Sequence, residues 1–170
     1  MKLLVVSDTH GKHARLSELL DMHADADALI FLGDGLSDLV RADAYNRRMS
    51  VIALRGNCDA FTFFCEDAHS EIYRVFEGLK FFMLHGHTRG VKGGFDGVLA
   101  AADARGADVV LFGHTHTPLE KYLPAGIEFE GGALKKPLYL FNPGSLGSSG
   151  EFGLVNIKNG QILLSHGIYK

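Results

Sequence analysis

The sequence predicts a mixed α/β fold, a two-sheet β-sandwich flanked by helices, and three observations carry that expectation. Short apolar runs of four or five residues, most ending beside a glycine, alternate with helical patterns through the first two thirds of the chain. After Pro118 the pattern changes to strand-like pieces separated by turns, which reads as antiparallel β. At 170 residues the chain is long enough to bury a sizeable core, so a single domain over residues 1–170 is expected.

Leu3–Val6 is the first apolar run and reads as a buried strand leading into Ser7-Asp8-Thr9-His10-Gly11. Lys12–Ala24 carries apolar residues at Ala14, Leu16, Leu19, Leu20 and Ala24, roughly a helical stripe. Ala28–Leu32 is a second strand ending in Gly33-Asp34, and Ser37 and Asp38 would cap a short helix from Ser37 to about Tyr45. Val51–Leu54 precedes Arg55-Gly56-Asn57. Around the turn at Gly78, Tyr73–Phe76 and Leu79–Leu84 read as a hairpin whose second strand ends in His85-Gly86-His87. Phe95–Ala104 is alanine-rich and helical, closed by Gly106. Val109–Phe112 ends in Gly113-His114-Thr115-His116. The last strands are Leu119–Leu123, Leu138–Asn142, Phe152–Ile157 and Gln161–Ser165, with turns at Asn142-Pro143-Gly144 and Lys158-Asn159-Gly160.

Composition narrows the class. A 46% hydrophobic and 22% charged chain is that of a soluble globular protein, and no apolar run approaches the ~20 residues of a membrane helix. Met1-Lys2 leads straight into the first strand, which leaves no room for a signal peptide. Two cysteines, Cys58 and Cys65, are too few for a disulfide framework, so a cytoplasmic location is expected. The net charge of −3 and the absence of a Lys/Arg block argue against a dedicated nucleic-acid surface, though not against a small phosphorylated substrate.

The chemistry lies at the strand ends. In an extended segment positions i and i+2 point the same way, so Asp8 and His10 would reach one point. Such a pair alone reads equally well as a capping Asp beside a solvent-facing His. Its recurrence after five buried strands, at the edge where open α/β sheets place ligands, decides for a metal site. The candidates are Asp8, His10, Asp34, Asn57, His85, His114 and His116. That is more than one ion holds, so two divalent ions are expected. Mixed nitrogen and oxygen ligands without thiolate suit Mn, Fe, Co, Ni or Zn. A carboxylate bridging two ions about 3.5–4 Å apart clamps phosphoryl oxygens and makes hydroxide available near neutral pH, so no Ser or Cys nucleophile is needed.

These motifs, in order and spacing over essentially the whole chain, resemble the calcineurin-like metallophosphoesterases. Arg55-Gly56-Asn57-Cys58-Asp59 and Asn142-Pro143-Gly144-Ser145 are similar to the compact YfcE-type branch of phosphodiesterases. The resemblance implies a four-layer sandwich and a dinuclear centre, with Mn the leading ion. It implies that Asp8, His10, Asp34 and His116 hold one ion, that Asp34 bridges, and that Asn57, His85 and His114 hold the other. It also implies a metal-dependent phosphodiesterase acting on a small phosphate ester, with a phosphomonoesterase or a non-catalytic scaffold, as in the retromer complex, as alternatives. The scaffold subunits have an impaired first-site histidine, whereas this chain keeps His10.

Two departures stand out. Cys58 occupies the position of a histidine thought to assist the leaving group, and a thiol is a weak hydrogen-bond donor. Leu146-Gly147-Ser148-Ser149-Gly150 replaces an expected Pro-Arg pair. His87 either faces the substrate as an alternative proton donor or is bonded to backbone. Arg55, Arg89 and Lys92 read as phosphate-neutralising or structural, and Asp59 as a residue that orients a ligand or caps a turn. Cys65 reads as buried, and His13, His23, His69 and His166 as surface. Phe61, Phe63 and Phe64 read as a pocket wall, a homo-oligomer interface or core.

Overall fold

The computed structural model describes residues 1–59 and 68–170; the expectations for Phe61, Phe63, Phe64 and Cys65 fall outside the described residues. Strands β1 (Lys2–Val6), β2 (Ala28–Phe31) and β3 (Ser50–Ala53) alternate with helices α1 (His13–Met22) and α2 (Leu36–Arg41). The hairpin β4 (Glu71–Phe76) and β5 (Leu79–Leu84), helix α3 (Asp96–Arg105) and β6 (Val109–Phe112) follow. The chain closes with β7 (Leu119–Leu123), a small hairpin β8 (Glu128–Phe129) and β9 (Gly132–Ala133), then β10 (Leu138–Asn142), β11 (Glu151–Lys158) and β12 (Gln161–Ile168). Among the described helices none is long and apolar enough to cross a membrane.

Two five-stranded sheets form, in the orders β12-β11-β1-β2-β3 and β4-β5-β6-β10-β7. Alternation along each strand sorts the core. Leu3 and Val5 of β1, Ile30 of β2, Met83 of β5 and Leu111 of β6 fill the space between the sheets. Leu4, Val6, Leu29 and Phe31 face Leu16, Leu19 and Leu20 of α1 and Leu36 and Leu39 of α2. Phe82, Leu84, Val110 and Phe112 face Val98, Leu99 and Ala102 of α3 on the far side. Strands covered on both faces need apolar residues at every position, hence the unbroken runs in the sequence. Fully burying one such side chain contributes about 1.5–3 kcal/mol. The result is helix, sheet, sheet, helix.

The five ligand-bearing strands are divided between the two sheets: β1, β2 and β3 run parallel in the first, β5 and β6 parallel in the second. Their carboxyl ends meet at one end of the sandwich. The last third is not purely antiparallel, because β10 pairs parallel with β6 while β7, β11 and β12 pair antiparallel. It closes both sheets instead of forming its own. Ser37 and Asp38 lie inside α2, whose amino end is capped from elsewhere, and α2 stops at Arg41 before a separate 3-10 turn at Ala44–Asn46. His13 and His23 are half-buried, not surface residues, and the His23 ring lies 5.1 Å from that of Phe152.

Candidate metal centre

The backbone carrying the candidate ligands is mostly left-handed. Asp8 (φ 56°), His10 (φ 43°), Asp34 (φ 59°), His114 (φ 67°) and His116 (φ 58°) all have positive φ. Asp8 and His10 therefore converge through two tight bends and not through an extended strand, which corrects the sequence reading. Conformations of this kind cost of order 1–3 kcal/mol each and persist where the surroundings impose them. Here the surroundings are specific. Asp38, fully buried on α2, accepts hydrogen bonds from Thr9 Oγ1 (2.5 Å) and the Gly11 amide (2.8 Å). Ser145 Oγ donates to the Asp8 carbonyl (2.9 Å), and the Leu146 and Gly147 amides donate to the Ser7 and Asp8 carbonyls. Arg15 donates to the Leu146 and Gly147 carbonyls at 2.7 and 3.1 Å, so an α1 arginine steadies the segment where the expected Pro-Arg pair is missing.

Asp59 does the same for the second pair of loops. Its buried carboxylate accepts from the amides of Asp34 (2.7 Å), Gly35 (2.9 Å), Leu36 (3.0 Å) and Gly56 (2.9 Å), capping α2 while joining the Asp34 and Gly56 turns. Of the two roles expected for Asp59, the structure shows the capping one, together with a direct hold on the Asp34 turn. Asn142 donates from Nδ2 to the Gly113 carbonyl (2.9 Å) and Thr115 Oγ1 (3.0 Å), supporting the loop that carries His114 and His116.

On this framework the side chains converge. Asp8, His10 and His116 form one group whose ligand atoms lie within 4.8 Å of one another; Asp34, His85 and His114 form a second, and His10, Asp34 and Cys58 a third. His116 Nε2 is 3.1 Å from Asp8 Oδ1 and 3.3 Å from His10 Nε2; His85 Nε2 is 3.4 Å from Asp34 Oδ2. Asn57 Oδ1 sits 3.2 Å from His85 Nε2, so it joins the second group. His85 Nδ1 donates to the Leu32 carbonyl (2.8 Å), so in the neutral ring Nε2 carries the lone pair and aims it into the cluster.

One atom tests whether these residues suit a cation. Asp8 is fully buried; its Oδ2 accepts from Ser7 Oγ (2.5 Å) and the His114 amide (3.1 Å), but its Oδ1 has no hydrogen-bond partner among the described residues. A buried carboxylate oxygen facing three imidazoles without a donor is costly unless a cation satisfies it. The donor set fits a transition-metal ion.

The electrostatics agree. Burial pushes the Asp34 carboxyl up, but hydrogen bonds from His85 and the Cys58 amide outweigh it and hold Asp34 well below the usual carboxylate range. Burial pulls His85 down, yet Asp34 and Asp8 raise it above an ordinary imidazole. Two buried carboxylates thus draw positive charge inward, as a proton or as an ion. Burial and the charges of His85 and Lys92 keep His114 low, which favours a free lone pair.

The family model described as the calcineurin-like phosphoesterase superfamily domain matches residues 1–167. The chain belongs to this superfamily. It is 33% identical over 138 residues to a probable metallophosphoesterase, YsnB, of Bacillus subtilis, covering 81% of this chain and 77% of that one. It is 27% identical over 182 residues to the phosphodiesterase YfcE of Escherichia coli, covering 92% and 88%. The fold is also that of wild-type Vps29 complexed with zinc from Entamoeba histolytica, with TM-score 0.69, 19% identity and 98% of each chain covered.

Within this superfamily fold every candidate ligand named from the sequence reaches the same end of the sandwich. His87 is beside it, its ring 5.4 Å from His85 and 6.1 Å from His114, with Nδ1 buried and without a hydrogen-bond partner among the described residues. Burial and the His85 charge lower its pKa, which favours the neutral ring. Arg89 does not face the site; it pairs bidentately with Glu71 (2.6 and 2.9 Å). Sequence reasoning missed Ser7, Thr9 and Arg15, and misplaced Asp38 as a cap. All four act through contacts distant in sequence, apart from Ser7, whose adjacency to Asp8 was a visible signal. Replacing Asp38 with Asn is expected to lower stability by about 1–3 kcal/mol, since a charged acceptor to the buried Thr9 hydroxyl and the part-buried Gly11 amide is lost. It should also weaken binding of the ion next to His10. Denaturant melts with and without metal check this; unchanged melts in both states would contradict it.

Proposed function

We propose that the protein is a metal-dependent phosphodiesterase with a dinuclear centre, acting on a small phosphate ester. The observation that carries this reading is the convergence of two Asp/His groups around buried carboxylates, Asp8 Oδ1 unpaired among the described residues and Asp34 within ligand distance of both His10 and the His85–His114 pair. In this reading Asp8, His10, Asp34 and His116 hold one ion; Asp34 is shared, and Asn57, His85 and His114 hold the other. Divalent ions, with Mn the leading candidate, supply water activation near neutral pH and neutralise charge on the phosphoryl oxygens.

The chain's own groups do the rest. Ser7 and Thr9 have their hydroxyls donated to Asp8 and Asp38, which removes them as nucleophiles. Asp34 keeps its negative charge because the Cys58 amide and His85 stabilise it. Neither flanking group is favoured as a general acid: burial and Asp34 push the Cys58 thiol up, and burial and the His85 charge disfavour the protonated His87 ring. Leaving groups that depart as stable anions, such as phenolates, suit such a site. The relative named YfcE, a phosphodiesterase, supports the diester over the monoester. A scaffold requires none of this convergence.

The test is hydrolysis by the Mn-reconstituted protein over aryl diester, aryl monoester and cyclic-nucleotide substrates. The diester should be fastest, chelator should abolish turnover, and a single turnover in labelled water should put the label in the product phosphate. Faster monoester cleavage would overturn the diester assignment, and a phosphorylated protein would overturn the route.

A further inference from the structure

Cys58 stands among ligands. Its Sγ, a ring nitrogen of His10 and a carboxylate oxygen of Asp34 lie within 4.8 Å of one another. Metal–sulfur bonds of about 2.3 Å and metal–nitrogen or metal–oxygen bonds of about 2.0–2.2 Å place the ligand atoms of a tetrahedral ion roughly 3.3–3.7 Å apart, inside that bound. The residue is fixed from both sides. Its own amide donates to Asp34 Oδ1 at 2.8 Å, so the side chain leaves the backbone beside the carboxylate. The turn that carries it is locked by Asp59, whose carboxylate takes the Gly56 and Asp34 amides. Asn57 Nδ2 donates to Sγ at 3.2 Å, the polarity that stabilises a sulfur bearing negative charge. The thiol is exposed and open to a bound ion. Nor is it a lone cysteine: Asp8 Oδ1, buried and without a hydrogen bond among the described residues, is 3.8 Å from the same His10 Nε2.

We propose that Cys58 is a metal ligand, binding as a thiolate the ion held next to His10 and Asp34, and that it biases the centre toward thiophilic ions such as zinc and ferrous iron. The inference rests on the metal reading above. On binding, the S–H bond breaks, a sulfur–metal bond forms and the proton leaves to solvent. Soft sulfur favours zinc, iron and cadmium over manganese. Sulfur would then join the nitrogen and oxygen donors expected from the sequence, which gives the cysteine a task that does not need it to donate a proton.

Cobalt(II) added to the metal-free protein separates the possibilities. Cobalt d–d bands should appear together with a near-ultraviolet sulfur-to-cobalt charge-transfer band, and Cys58→Ser should lose the second while keeping the first. Calorimetric titration should show cadmium affinity falling roughly tenfold or more in Cys58→Ser, with manganese affinity changing less than about threefold. Cobalt d–d bands without charge transfer in the unmodified protein would overturn thiolate ligation and leave the metal centre standing. No cobalt binding at all would overturn the centre itself. Should Cys58→Ser melt differently from the unmodified metal-free protein, the charge-transfer band of the unmodified protein decides alone.

Discussion

Asp34→Asn is expected to remove nearly all hydrolysis and most bound metal while leaving the fold intact. Asn can keep the acceptor that Asp34 Oδ1 offers to the Cys58 amide, so the turn it belongs to is preserved. It cannot keep the charge. That charge faces His85 Nε2 at 3.4 Å and His10 Nε2 at 3.9 Å, and Asp34 is the carboxylate common to two of the ligand groups. Several kcal/mol of charge stabilisation are at stake, which corresponds to a loss of ~10³-fold or more in rate. Metal analysis beside a thermal melt reads the result. Two full equivalents of metal in an active Asp34→Asn protein would sink the dinuclear reading.

Gly56→Ala is expected to be nearly as damaging, without removing any ligand atom. A Cβ at Gly56 would lie 2.1 Å from Asp34 Oδ1 and 2.5 Å from the Asp34 amide nitrogen. Either the carboxylate swings out of the site or the two turns part, and parting them breaks the hold of Asp59. Overpacking of this kind costs about 1–3 kcal/mol, which in a chain of this length lowers Tm by roughly 2–12 °C. Metal content should fall along with it. Gly93→Ala is the control, since its Cβ would meet only the Gly90 carbonyl at 3.6 Å. Equal behaviour of the two variants would show that the close approach of the turns is not what positions Asp34.

The candidate ligands were legible in the sequence because each follows an unbroken apolar run. Such runs mark strands buried on both faces, and the residue after the run must lie at a strand end. Leu3–Val6 before Asp8 and Val109–Phe112 before His114 are the clearest cases. Helix α3 was legible for a similar local reason: its alanine-rich run closes at Gly106, which adopts φ 60°. What the sequence could not disclose is how the ends meet. Which strands complete each sheet depends on pairings between distant segments, β1 with β11 in one sheet and β10 with both β6 and β7 in the other. The left-handed turns at Asp8, His10 and Asp34 carry no local signature, since Asp and His do not require positive φ. Asp38 and Asp59 read locally as turn or cap residues, and only the packing of α2 under the β1 and β3 loops turned them into the clamps that hold the ligands. Residue identity and periodicity determined which groups arrive at this end of the molecule. Long-range hydrogen bonds between loops, available only once both sheets have closed, decided where each one points.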